Sequence, residues 1–297
     1  MTNTKTSFKD KWGKNEDLVF LETLREGSDI FNWVLSRNGF QSGEDLQSYL
    51  YDKKRVLDAG CGNGRITALL RKYSEENTTE IVGIDLVAAD IAKSNLLKYQ
   101  LDKNTYFYDF DLMKPLEDLG KFDFIYCQEV LHHTENPRQA FLNLCDVLSD
   151  SGEIAIYVYK EKAPIREFVD DFVRGQIADL SYEEAMKTCA QITELGKVLA
   201  NQRITLTVPD VDVLDVKAGQ YDLQRFIYHF FLKCFWNENL TFHENTVINY
   251  DWYHPQLCSR HNVDEVREWF TDAKLQIVHE YVDFYGITMR GKLQRGL

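Results

Sequence analysis

The run Val56-Leu-Asp-Ala-Gly-Cys-Gly-Asn-Gly64 sets a carboxylate, Asp58, just ahead of three glycines at alternate positions. Glycine reaches positive φ and lets a ligand approach the backbone closely. Val56 and Leu57 read as the end of a buried strand, and Arg65-Ile-Thr-Ala-Leu-Leu70 opens a helix. A strand, a glycine turn and a helix N-terminus make a nucleotide-sized pocket at the carboxyl edge of an α/β sheet. A second carboxylate, Asp85, ends the run Ile81-Val-Gly-Ile-Asp85, twenty-one residues past Gly64. An acidic residue there can take two ribose hydroxyls. His132 and His133 follow a further apolar run, residues 122–127. An unperturbed histidine titrates at about 6.5 and can accept a proton at neutral pH.

The glycine pattern departs from a dinucleotide site. G-x-G-x-x-G needs a last glycine for close packing of helix on strand, and Arg65 stands at that position. Asp58 would repel a pyrophosphate and suits a cationic ligand or an ammonium group.

These residues need a scaffold, and the chain alternates accordingly. Residues 55–58, 81–85, 105–110, 122–127 and 153–159 read as strands, with a turn at 150–152. Helical patterns run through Ile91, Leu96 and Leu97 and over 137–148. Strands separated by helices pair in parallel through right-handed crossovers. Residues 1–50 read as a helical N-terminal extension, with helical spacing at 17–24 and 30–50. After Lys160 the alternation stops. Residues 161–258 are mainly helical in pattern (165–172, 182–199, 223–235), with one extended stretch at 204–208. It resumes with a helix over 263–270, capped by Asn262 with Glu265 three positions on. Residues 275–279 and 284–289 close the chain as strands whose link is too short for a crossover, so they pair antiparallel. The expected fold is α/β: a Rossmann-like three-layer sandwich with a seven-stranded, mostly parallel sheet and an antiparallel last strand. Residues 51–160 and 259–297 form its core, and 161–258 a mainly helical cap inserted after the fifth strand.

Composition narrows the partners. Of 297 residues, 44% are hydrophobic, enough for one large domain or a core with a sizeable insertion. A formal net charge of −13 without a basic patch argues against nucleic acid. No apolar run is long enough for a membrane span, and residues 1–6 lack the apolar core of a secretory signal. The six cysteines (61, 127, 145, 189, 234, 258) have no paired metal or redox spacing. They read as small buried residues in a reducing, cytoplasmic compartment. The adjacent histidines have no third ligand in local spacing, so no metal is expected.

Four further blocks join the glycine run: Val82-Gly-Ile-Asp85, Asp109-Phe-Asp111-Leu112, Phe122-Asp-Phe-Ile-Tyr-Cys-Gln-Glu-Val-Leu-His-His133 and Leu148-Ser-Asp-Ser-Gly152. In this order the five resemble class I S-adenosylmethionine (SAM)-dependent methyltransferases, over residues 50–160 and 260–297. The resemblance implies SAM as cofactor and S-adenosylhomocysteine (SAH) as product. Gly60, Gly62 and Gly64 would wrap the methionine part, with Asp58 acting through the loop and bound water near the amino group. Asp85, with Leu86 beside it, would bind both ribose hydroxyls. Asp111 would accept from the adenine amino group, a role that Asp109, on the same side of an extended strand, could equally take. Leu112 would pack on the adenine, and Glu129 would meet the methionine end. Methyl transfer is a direct displacement in which orientation supplies much of the rate. His132 or His133 would contact the acceptor or take its proton, or else only shape the turn before Pro137.

The insertion is aromatic: Tyr228-His-Phe-Phe231, Phe235-Trp236 and Tyr250-Asp-Trp-Tyr-His-Pro255. Leaving and returning at the cofactor edge, it is expected to cover the pocket. Trp252, Tyr253 and His254 are candidate walls, or members of the insertion's own small core. Tyr159 at the fifth strand's end could reach the pocket. Arg166 could hold a carboxylate or phosphate in a fork, as could Arg225 or Arg260, unless each only decorates a solvated face. The acceptor is expected to be a small molecule, with oxygen ahead of nitrogen or carbon. The family's Asn/Asp-Pro-Pro-Tyr/Phe/Trp tetrad for nucleobase or glutamine amino groups is absent. A tRNA or protein methyltransferase, a nucleotide-sugar or NAD enzyme and a non-catalytic scaffold are the alternatives. A homodimer through an aromatic edge of the insertion stays open.

Overall fold

The computed structural model describes residues 3–293. They divide into two compact units: residues 12–160 with 259–293, and residues 161–258 with 3–11. In chain order, α1 (Thr4–Lys14), α2 (Phe20–Leu24), α3 (Asp29–Arg37) and α4 (Gly43–Leu50) precede β1 (Arg55–Ala59). There follow α5 (Arg65–Lys72), β2 (Glu80–Asp85), α6 (Ala89–Lys98), β3 (Thr105–Asp109), β4 (Phe122–Gln128), α7 (Pro137–Cys145) and β5 (Leu148–Tyr159). Next come α8 (Pro164–Ile177), α9 (Tyr182–Asn201), β6 (Thr205–Val208), β7 (Gly219–Asp222), α10 (Leu223–Phe230) and α11 (Phe242–Tyr253). The chain closes with α12 (Val263–Asp272), β8 (Leu275–Val282) and β9 (Gly286–Leu293). Among the described residues, no helix is long and apolar enough to cross a membrane.

The larger unit holds a seven-stranded sheet in the order β3-β2-β1-β4-β5-β9-β8. The five strands β1 to β5 pair in parallel, and β9 runs antiparallel to both β5 and β8. This is the expected sheet, antiparallel last strand included. Its central strands β1, β2, β4 and β5 are apolar on both faces because helices cover both. Leu57, Ile84, Ile125 and Ile156 face a cluster with Phe141 and Leu144 of α7 and Trp269 and Phe270 of α12. Val56, Ile81, Phe124 and Ala155 face another with Phe31 and Val34 of α3, Leu46 of α4 and Leu69 of α5. Each large side chain buried this way contributes about 2 kcal/mol. The turn expected at 150–152 is instead the irregular first part of β5: Phe122 pairs with Leu148, but Phe124 pairs with Glu153. Gly152 lies so close to the strand that a Cβ there would sit 2.8 Å from the Phe122 carbonyl.

In the smaller unit, α9 starts at a capping box formed by Ser181 and Glu184 and buries Ala185, Cys189, Thr193 and Gly196. That spacing lays one stripe along the helix. A Cβ on Gly196 would meet the Cys234 carbonyl at 2.4 Å, so only glycine permits this approach. Asn249 of α11 donates to Thr193 Oγ1 at 2.9 Å. The extended stretch expected at 204–208 forms β6, which pairs antiparallel with β7. The helical pattern expected over 223–235 ends at Phe230. Helix α11 has no counterpart in the sequence reading. Its buried face mixes Asn245, Thr246 and Asn249 with Val247, Tyr250, Trp252 and Tyr253, which conceals the apolar period. All six cysteines are free.

Candidate cofactor and catalytic site

The glycine loop follows β1. Gly60, Gly62 and Gly64 have φ of +84°, +53° and +84°, the left-handed region that disfavours a side chain. The loop keeps close to β2, with the Gly60 and Cys61 N–H groups donating to the Ile84 carbonyl at 2.7 and 2.9 Å. At Gly60 a Cβ would lie 2.1 Å from the Val130 side chain, and at Gly62 2.6 Å from the Trp12 indole. Gly64 lies against α6, where a Cβ would come within 3.0 Å of Ala92. The close helix approach that a dinucleotide turn makes at its last glycine is thus made at Gly64, and Arg65 points elsewhere. Its guanidinium reaches Glu129 Oε2 and Thr23 Oγ1, at 3.3 and 3.2 Å.

Carboxylates gather at the carboxyl ends of β1, β2 and β3. Asp58, 2% exposed, accepts from Thr67 Oγ1 at 2.5 Å. Burial pushes its carboxyl up to about 7; Asp85 adds to the rise, while Thr67 and Arg65 oppose it. Asp85 Oδ2 accepts from the Gly62 N–H at 3.0 Å, and Oδ1 from the N–H groups of Val87 and Ala88 at 2.9 and 3.0 Å. Burial also raises Asp85, against those three donors, and Asp109 raises it further. Asp109 is the register partner of Asp85 across β2 and β3. Asp111 Oδ1 accepts from the Met113 N–H at 3.0 Å. Leu112 is buried in the apolar core, its carbonyl accepting from Asn143 Nδ2 at 2.9 Å, whereas Leu86 is exposed.

Past β4, Glu129 has φ +59°, a left-handed backbone that costs a non-glycine residue about 1 kcal/mol or more. Such strain persists where the surroundings fix the conformation, and here the Arg65 pair holds the side chain. His132 is fully buried and stacks on Tyr159 with ring centroids 3.6 Å apart. His133 packs edge-on to both rings, 4.4 Å from His132 and 5.7 Å from Tyr159. The returning chain fixes this corner. The Ser259 N–H donates to the His132 carbonyl at 2.8 Å and the His261 N–H to the Tyr159 carbonyl at 2.9 Å. The His261 ring bridges Ser259 Oγ at 2.8 Å and Glu265 Oε1 at 3.0 Å. Asn262 does cap α12, accepting from the Glu265 N–H at 2.9 Å, but the Glu265 side chain serves His261.

The larger unit therefore brings together Asp58, the three glycines, Asp85, Asp111, Leu112 and Glu129 along one edge, with His132 and His133 after β4 and Tyr159 at the end of β5. Arg166, Trp252, Tyr253 and His254 belong to the smaller unit. The first three surround Asp170. His254 contacts Ser7 Oγ at 2.9 Å and the Leu180 carbonyl at 3.0 Å, so both ring nitrogens serve the unit's own structure. Sequence reasoning missed Trp12 against Gly62, and also the two asparagines behind the loop. Asn63 Nδ2 donates to the carbonyls of Glu16 and Leu18, both at 3.0 Å, and Asn95 Nδ2 to those of Glu16 and Asn63 at 2.8 and 2.9 Å. Asn63 stood inside the glycine run and could have been weighed; nothing in the sequence marks Trp12 or Asn95.

Residues 50–205 match the family model described as a methyltransferase domain. The ubiquinone biosynthesis O-methyltransferase of Coxiella burnetii is 29% identical over 34% of this chain and 42% of its own length. The chain spans between 28% and 49% of the length of the curated relatives it matches. Among solved structures, PKMT2 from Rickettsia typhi superposes with a TM-score of 0.54 at 14% identity, covering 85% of this chain and 52% of that one. An O-methyltransferase family protein from Burkholderia thailandensis gives 0.50 at 12% identity, over 95% and 59%. The chain belongs to the methyltransferase-domain family, and its fold is that of the class I SAM-dependent methyltransferases.

Proposed function

We propose that this protein binds SAM at the carboxyl ends of β1 to β4 and methylates a small molecule, with oxygen the first choice of acceptor atom. The observation that carries the cofactor is the carboxylate cluster on the glycine loop. Asp58 and Asp85 are both destabilised as anions by burial; Asp85 raises Asp58 further, and Asp109 raises Asp85. A cation relieves that arrangement and a pyrophosphate aggravates it. When bound, SAM supplies an electrophilic methyl group on a cationic sulfonium. Asp85, anchored by three backbone N–H groups, accepts from the two ribose hydroxyls. Asp58 and Glu129 hold the amino-acid end, Asp111 or Asp109 accepts from the adenine amino group, and Leu112 borders the adenine. These carboxylates serve binding rather than rate, because they favour the charged ground state at least as much as the transition state.

His133 accepts the acceptor's proton as the oxygen attacks. His132, stacked on Tyr159, holds it in place. Oxygen as the target draws support from the Coxiella relative, whose name records O-methylation. Six free thiols suit a reducing cytoplasm. The test is transfer of labelled methyl from SAM to a panel of small hydroxylated acceptors and, in parallel, to tRNA and protein. Label on a small acceptor supports the reading, and label confined to macromolecules overturns it.

A further inference from the structure

The Glu161–Cys258 unit gathers positive charge in a chain of formal net charge −13, with Arg166 and Lys233 buried and Lys162 and Arg225 half-buried. Its centre is Asp170 of α8, 1% exposed, with both oxygens saturated. Oδ2 accepts from Arg166 Nε at 3.0 Å and Trp252 Nε1 at 2.9 Å. Oδ1 accepts from the Lys233 backbone N–H at 3.0 Å and the Tyr253 hydroxyl at 2.9 Å. Around it, Lys162, Arg166 and Lys233 stand 5.7, 5.3 and 4.6 Å from the Trp252 ring centroid. Arg166 and Arg225 flank Tyr228 at 4.6 and 5.6 Å. Four formal cations thus share one small volume with two carboxylates, Asp170 and Glu167; Oε1 of Glu167 accepts from the Lys162 backbone N–H at 2.6 Å. Nearby Asp251 and Asp171 pair with Lys11 and Arg174, each at 2.7 Å.

The donors are not used up. Lys233 is 7% exposed, and its Nζ makes no hydrogen bond or ion pair among the described residues. Nε is the only nitrogen of Arg166 with a hydrogen-bond partner there, and Arg225 Nη1 is buried without one. Burial and then the neighbouring cations push Lys162 well down and Lys233 to about 8. His229 is driven to about 3 by burial, then by Arg166, Arg225 and Lys162. Aromatic faces compensate a buried cation only weakly, and an uncompensated buried charge is strongly unfavourable.

We propose that Arg166, Arg225 and Lys233 bind a doubly charged oxyanion of the phosphate-monoester class. Arg166, Arg225 and Lys233 against the one carboxylate they surround, Asp170, leave two formal positive charges, which match a dianion, whereas a monocarboxylate would leave one charge unmet. The indole of Trp252 and the phenol of Tyr228, already beside the cations, would flank the organic group that bears it. The anion site does not depend on the cofactor.

The test is calorimetric titration of the full chain with inorganic phosphate and with acetate at matched ionic strength, alongside SAH. Phosphate should bind about tenfold tighter than acetate or better. Lys233→Met and Arg225→Gln, on different elements, should each weaken phosphate about tenfold, the worth of one charge-assisted hydrogen bond. Both should leave SAH affinity unchanged. Phosphate no tighter than acetate overturns the proposal. So do variants that bind phosphate like the parent while their unfolding midpoints rise, since the cations then only support Asp170. Loss of SAH binding by the parent would instead count against the cofactor reading, so the two failures are separable.

Discussion

Replacing Asp58 with asparagine separates what this carboxylate does for the fold from what it does for the cofactor. Burial lifts the Asp58 carboxyl from 3.8 to about 7. A folded-state value above the unfolded one means that Asp58 leaves stability intact below about pH 4. Stability is then lost as pH rises to about 7, where the folded carboxyl ionises too. At about 1.4 kcal/mol per pKa unit, the rise from 3.8 to about 7 removes up to about 4 kcal/mol from the cofactor-free protein by about pH 8. The amide introduced by Asp58→Asn would keep an acceptor for Thr67 Oγ1 and abolish the titration, at a cost of about 1–3 kcal/mol for an NH2 group left to find a partner. The difference in unfolding free energy between Asp58→Asn and the parent should therefore climb by about 1.4 kcal/mol per pH unit between about pH 4 and 7, and stay flat outside that window. Urea unfolding at stepped pH reads this difference directly. In the opposite direction, SAM affinity should fall about tenfold or more, because the cation loses a buried counter-charge. A pH-independent stability difference would refute the raised carboxyl, and undiminished SAM affinity would refute its part in binding.

Two further substitutions probe the site. Asp85→Ala removes the acceptor for three backbone N–H groups and the proposed ribose contacts. SAM affinity should drop about 100-fold by calorimetry, the loss of two hydrogen bonds to a charged group, and an unchanged constant would remove Asp85 from the site. His133→Ala should lower kcat about 100-fold or more while SAM affinity holds, as expected of a proton acceptor. Normal turnover with the acceptor identified by the transfer assay would take His133 out of catalysis.

The features that a sequence shows well are those forced by local chemistry. Three glycines at positive φ, a carboxylate ending β2 and two closing strands too near each other for a crossover each leave a mark in a few consecutive residues. The acceptor side is harder. Helix α11 buries asparagines and a threonine beside its aromatics, so its period is blurred, although Thr241 and Glu244 spell out its capping box. Arg166 looked like a ligand or a solvated charge. It is buried and bonded to Asp170, the residue four positions on. That pair was visible in the sequence. The contributions of Trp252, Tyr253 and Lys233, more than sixty residues away, were not. Trp12 on Gly62 and Ser259 on His132 are likewise long-range contacts, set by packing rather than by spacing.

The central claim is that a cationic nucleoside, not a dinucleotide, occupies the glycine loop. Calorimetric titration of the purified chain with SAM and, in parallel, with NAD tests it most directly. The carboxylates of Asp58 and Asp85 predict tight SAM binding with proton release near neutral pH, and no heat from NAD. Binding of NAD without SAM would contradict the account, and Asp58 and Arg65 would then be the residues misread.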